Sequence, residues 1–271
     1  TRPAAIPILA TWLDPGQSDT LQRAALTALA VTGDPSVASV ILGRWSGLTP
    51  SLREAALDLL LSRESWTLAF LDHARRQSFS PPAAVRRDAL LRHRSDAVRS
   101  QASKWFESPG PRAGMIARFK PALDLTPTDA RAGFDTYQRL CSACHQAGGH
   151  GRQIGPDVVT FATHAPERIL ANVLDPSADI QPGFSAYQAR LHDGRELIGL
   201  VESDSGNSLI LRLTDGSRHT LLRTELAALE DTGRSLMPDG LESGLSLQDM
   251  ANLIAFLRNP SSTGTTAERH P

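Results

Sequence analysis

The chain has no apolar run near the ~18–20 residues a bilayer-spanning helix needs, so nothing in it reads as a transmembrane segment. Cysteine is scarce, two in 271 residues, which excludes a disulfide-stapled scaffold. No excess of either charge is present: 28 basic residues stand against 29 acidic ones, for a net charge of −1. That balance gives no support to a nucleic-acid or membrane-surface partner. A signal-peptide pattern is also missing, because Thr1 leads directly into structured-looking sequence. What is present is a composition 41% apolar and 21% charged, that of a folded chain, at a length suggesting about two domains.

Both cysteines fall within five residues, Cys141-Ser142-Ala143-Cys144-His145. C-x-x-C-H is the attachment signature of a c-type haem. Two thiols three positions apart, expected on one helical turn, can each add across a haem vinyl group. The next residue then presents an imidazole to the iron as proximal ligand. A thioredoxin-like pair would want a βαβ context, and zinc would want a second pair of ligands at matching spacing. The sequence offers neither, and the motif leaves no cysteine for a structural disulfide. Haem c is attached outside the bacterial cytoplasm, so the expected location is periplasmic or otherwise extracytoplasmic, with the targeting segment removed from a processed or excised chain.

The two halves differ in pattern. From Pro3 to about Arg118, short amphipathic helices alternate with turn signals. One segment recurs as Leu21–Leu26, Leu52–Leu57 and Val85–Leu90, at offsets of 31 and 33 residues, with a fainter echo from Val98 to Phe106. Further helical stretches cover Ile6–Leu13, Val37–Trp45 and Trp66–Ala74, and Gly33-Asp34-Pro35 and Ser80-Pro81-Pro82 act as breakers. Helix pairs at this period suggest an α-solenoid, and the turns and the apolar-Arg-x-x-Ala-apolar helix resemble HEAT repeats of short length. The alternative is a non-repetitive bundle whose Ala, Leu and Arg content imitates a repeat.

Pro111–Pro127 reads as a junction. Beyond it Thr128–Leu140 predicts a capped helix running into Cys141, with Gly133, Phe134 and Tyr137 on the face that packs against another helix; Ala165–Leu174 predicts a second, and Ser246–Leu257 a final one with Ser246 as N-cap. Gly148–Gly151 and Gly155-Pro156-Asp157 are expected to form a flexible loop. Ala186–Leu191, Glu196–Glu202, Ser208–Leu213 and His219–Leu222 alternate in hydropathy around Asp-Gly turns, predicting about four antiparallel strands inserted into the haem domain. The expected fold is mainly α: a HEAT-like helical domain over 1–120, then a cytochrome c-like domain over 121–260 with a β insert at about 184–224. A disordered tail follows over 261–271.

An electron-transfer haem needs a ligand opposite His145. Of the three methionines, Met115 precedes the haem domain in a segment, Gly114–Phe119, that reads as the exit from the helical array, and Met250 lies inside the final helix. Met237 lies in the Ser235–Gly240 loop, where Pro238 restrains the preceding backbone, so the loop can offer a thioether rigidly. A loop methionine that merely fills a gap is the alternative, and His164 is the reserve ligand. His150 lies too close to His145 in sequence. His73, His93, His192, His219 and His270 carry no site role.

Cys141–His145, Gly155-Pro156-Asp157, Ile169–Ser177, a β insert opening near Tyr187 and Ser235–Pro238 before a closing helix occur in that order. This series resembles the haem-binding domain of planctomycete- and verrucomicrobia-type bacteria, over about residues 95–258. There it often follows HEAT-like repeats and a sugar-dehydrogenase-like β-propeller, and no propeller is present here. The resemblance implies a class I cytochrome c fold with an insertion, in which the Pro156 carbonyl accepts the ring N–H of His145. The expected function is single-electron transfer through one covalent haem c, with His145 and Met237 as axial ligands and no catalytic residue. The expected partner is a redox protein such as a periplasmic dehydrogenase, docked by the helical repeats. A peroxidase-like haem enzyme with a labile distal ligand and a haem-based sensor or scaffold are the alternatives. Leu140, Ile154, Leu170, Leu236, Ile254 and Phe256 are candidate haem-pocket residues that ordinary core packing would explain equally.

Overall fold

The computed structural model describes residues 2–77, 84–106, 112–205 and 207–260. It divides into two compact units, Thr1–Ser108 with Asp179–Leu236, and Pro109–Ala178 with Met237–Pro271. The expected breaks at Ser80-Pro81-Pro82 and Pro111 and the expected tail over 261–271 lie outside the described residues.

The first unit begins with α1 (Arg2–Thr11), α2 (Asp19–Thr32), α3 (Ser36–Leu42), α4 (Pro50–Leu61), α5 (Glu64–Arg76), α6 (Ala84–Leu91) and α7 (Asp96–Phe106). The three copies of the recurring segment fall on α2, α4 and α6. Ser18 caps α2 by accepting from Leu21 N–H, and Gly33 ends it in the left-handed region. α2 packs on α4, while α3 packs on α5 and α5 on α7. Contacts between neighbouring copies keep the sequence period. Trp66 Nε1 donates to Asp34 O at 3.1 Å, Ser95 Oγ to Glu64 at 2.6 Å, and Arg86 pairs with Glu54 and Asp58. Partners 28 to 32 residues apart thus meet across successive helices. Leu29, Ile41, Leu52, Leu60 and Phe70 form the shared core.

The chain then enters the second unit with α8 (Ala113–Phe119), α9 (Ala130–Leu140), β1 (Gln146–Ala147), β2 (His150–Gly151) and α10 (Pro166–Leu174). It returns to the first unit for β3 (Ser185–Leu191), β4 (Glu196–Ser205), β5 (Ser208–Leu213), β6 (Arg218–Leu222) and β7 (Leu226–Ser235). It closes in the second unit with α11 (Leu247–Arg258).

The sheet is antiparallel in the order β6-β5-β4-β3-β7. Two corrections follow. It has five strands where four were expected, and it packs with the N-terminal helices, although its sequence interrupts the haem domain. Buried polar joints make that attachment. Arg53 pairs with Asp231, and its guanidinium lies over the rings of Trp45 and Tyr187 at 5.4 and 5.3 Å. Tyr187 donates to Leu48 O at 2.8 Å. Arg223 pairs with Asp204 and donates to Pro15 O at 3.0 Å, and Thr49 donates to Asp204 at 2.5 Å.

In the second unit α9 and α11 cross closely because Gly133 has no side chain: a Cβ there would overlap Asn252 O and lie 2.9 Å from Phe256 Cβ. Asp129 caps α9, and Ser246 with Asp249 forms a capping box on α11. Phe134, Tyr137, Leu170, Met250, Leu253 and Phe256 build the core. The expected junction is itself folded: α8 and a 3₁₀ turn at Lys120–Asp124 cover this core, with Phe119 buried and Met115 partly so. Met115 is therefore part of the haem-motif unit, not the exit from the helical array. No helix among the described residues is long and apolar enough to cross a membrane.

Candidate functional site

α9 carries the chain to Cys141, which is its C-cap. The motif thus lies just beyond the helix, in consecutive tight turns, where a continued helical turn was expected. Cys141 N–H donates to Tyr137 O at 2.8 Å, Cys144 N–H to Cys141 O at 3.1 Å and His145 N–H to the same carbonyl at 2.9 Å. Both cysteines are unbridged and half-buried, within one turn of His145. Burial, with Cys144 nearby, pushes the Cys141 thiol up to about 12.

The segment after the motif folds back over it. Ile154 N–H and Gly155 N–H both donate to Cys144 O, at 2.9 and 2.7 Å. This brings Pro156 O to 2.8 Å from His145 Nδ1, the contact implied by the family resemblance. With Nδ1 donating to that carbonyl, the imidazole lone pair is on Nε2. Burial lowers the pKa of His145, and the Pro156 carbonyl acts in the opposite direction. Gly155 makes the approach possible, since a Cβ there would lie 2.5 Å from His145 Cε1 and 2.9 Å from Nδ1. Gly148–Gly151, expected to be flexible, forms instead the tip and second strand of the β1–β2 hairpin, with Gly148 and Gly149 at positive φ. Tyr137 Oη lies 2.6 Å from His145 O and 3.1 Å from His150 O, and burial raises its pKa to about 12. Sequence reasoning gave Tyr137 only a packing role.

Met237 belongs to the same unit, half-buried in the loop between β7 and α11. Met250 is fully buried in the core, as a helix-interior methionine should be. His164 is half-buried at the end of the Val158–Thr163 turn with its ring 5.4 Å from that of Phe161. Among the candidate pocket residues, Ile154, Leu170, Ile254 and Phe256 are buried in this unit and Leu140 is partly buried, while Leu236 closes the first unit.

These residues fit a covalently held haem: two unbridged thiols at the right spacing, an imidazole oriented through Nδ1, and a glycine cradle behind its ring. Residues 128–202, from just before α9 into β4, match the family model of cytochrome C oxidase, cbb3-type, subunit III. No curated protein matches the chain. The family match supports a cytochrome c-like haem-binding domain in this stretch, and with it a c-type cytochrome role in electron transfer.

Proposed function

We propose that the protein is an extracytoplasmic electron carrier holding one haem c through Cys141 and Cys144, with His145 and Met237 as axial ligands. The haem supplies the one-electron couple; everything else is positioning by the chain. The observation that carries this reading is the orientation of His145, whose Nδ1 is engaged by Pro156 O while Gly155 leaves room for the ring. An imidazole fixed in this way is the form an iron ligand takes. Met237 is the distal choice because it is half-buried on a loop of the same unit, whereas Met250 is committed to the core. A thioether opposite an imidazole favours Fe(II) and leaves no open position for substrate.

The helical half is read as HEAT-like repeats that dock a redox partner such as a periplasmic dehydrogenase. Its support is the ~30-residue spacing of the Trp66–Asp34, Ser95–Glu64 and Arg86–Asp58 contacts. Absorption spectra of oxidised and reduced protein, with and without carbon monoxide, test the ligation. The wild type is expected to be low-spin with the weak red band of sulfur–Fe(III) ligation and to leave carbon monoxide unbound, whereas Met237→Ala binds it. A Met237→Ala protein with the wild-type spectrum would transfer the distal role to another residue.

A further inference from the structure

Tyr137 is fully buried one helical turn before Cys141. Its ring packs against Phe134 and Phe256, at centroid distances of 6.3 and 5.2 Å. Phenylalanine would serve that packing equally well, so the hydroxyl needs its own explanation, because a buried O–H is costly unless it is bonded. Its proton points to His145 O at 2.6 Å, with His150 O as a longer second acceptor at 3.1 Å. Those two carbonyls bracket the β1–β2 hairpin, so one hydroxyl ties the start of that loop to its end. The carbonyl it grips most closely is that of His145 itself.

Gly151 completes the clasp from the other side. Its φ is +93°, and a Cβ there would overlap His145 O while lying 2.8 Å from Ser142 O and 2.9 Å from Tyr137 Oη. The backbone of His145 is therefore held between a glycine that admits it and a hydroxyl that binds it. We propose that Tyr137 is a positioning residue for His145, fixing the ligand's backbone so that its ring meets Pro156 O in one orientation. This rests on the haem reading above. The side chain is restrained at Nδ1 and the main chain at its carbonyl; releasing the second loosens the first.

The test uses the haem-loaded protein and three variants: Tyr137→Phe, which removes only the oxygen; Gly151→Ala, which displaces the same contacts; and Phe119→Leu, which loosens the same core from the α8 side. Amide exchange over 146–151 and the midpoint potential are read beside global stability. In Tyr137→Phe, exchange over 146–151 should quicken about tenfold, the loss of one buried hydrogen bond. The potential should rise, because a slacker Nδ1–H bond makes the imidazole a weaker donor to Fe(III). Gly151→Ala should move both readouts the same way and decides the matter if Tyr137→Phe does not fold. Phe119→Leu should lower stability and leave both unmoved. Wild-type exchange and potential in both clasp variants would overturn the proposal, as would an equal shift of potential in Phe119→Leu. A wild type lacking covalent haem in the alkaline pyridine spectrum would refute the haem reading itself, and the proposal with it.

Discussion

In the first unit charged side chains join helices and sheet: Arg53 of α4 pairs with Asp231 of β7, and Arg223, paired with Asp204 within the sheet region, donates to the helix-side Pro15 O, each ion pair largely buried. In the second unit the decisive joints are places without a side chain: Gly133 under α11, Gly151 under the His145 carbonyl and Gly155 behind the imidazole. Long, forked side chains join elements of different kinds and accept small shifts between them. Glycine contacts bring backbone against backbone or ring, and they fix position to within tenths of an ångström. A unit that must aim an imidazole at a metal needs the second kind of joint.

The largest expected effect breaks the charge-joined side. Asp231→Ala leaves the Arg53 guanidinium buried without its carboxylate, a loss of about 3 kcal/mol. All four tryptophans (Trp12, Trp45, Trp66 and Trp105) lie in the first unit, so their fluorescence in a urea titration should show the loss while the visible spectrum stays unchanged. Gly133→Ala is the counterpart on the glycine side. Its Cβ forces α9 away from Asn252 at a cost of about 2 kcal/mol. There the circular dichroism and visible transitions should move first and the tryptophan transition should hold. If either variant shifted both transitions equally, the contrast between the units would fail.

A smaller effect sharpens the comparison through pH. Asp249, bonded to Ser246 N–H and Oγ in the α11 capping box, is held below its ordinary value of 3.8 chiefly by the Ser246 side chain. A lowered carboxylate stabilises the fold above its unfolded pKa, and the gain disappears as pH falls through the folded one. Ser246→Ala should therefore cost about 1 kcal/mol at neutral pH and little in strong acid, in the transition of the second unit alone.

The candidate haem motif was legible because its residues are local. Cys141, Cys144 and His145 are adjacent in sequence, and Pro156 follows at a distance that one short fold-back closes. The helices were legible through periodicity, and Ser246 caps α11 as expected. β7 was missed because Leu226-Ala-Ala-Leu-Glu230 carries helix-forming residues; pairing with β3 overrides that preference. The place of the sheet was missed because its attachment spans great sequence distances, Tyr187 to Leu48 and Arg223 to Pro15. No window of sequence contains both partners. Tyr137 was read for its ring alone, since the carbonyls that receive its proton come together only when the hairpin closes.

The sequence by itself determined which residues can hold a haem, the alternation of helices and the β character of β3–β6, because spacing along one chain sets those. Tertiary structure alone decided that the sheet joins the N-terminal helices, that α8 covers the second core, and that a tyrosine oxygen and two glycines clasp the motif. These depend on approach between segments far apart in the chain, where complementary shape and buried hydrogen bonds outweigh local preference.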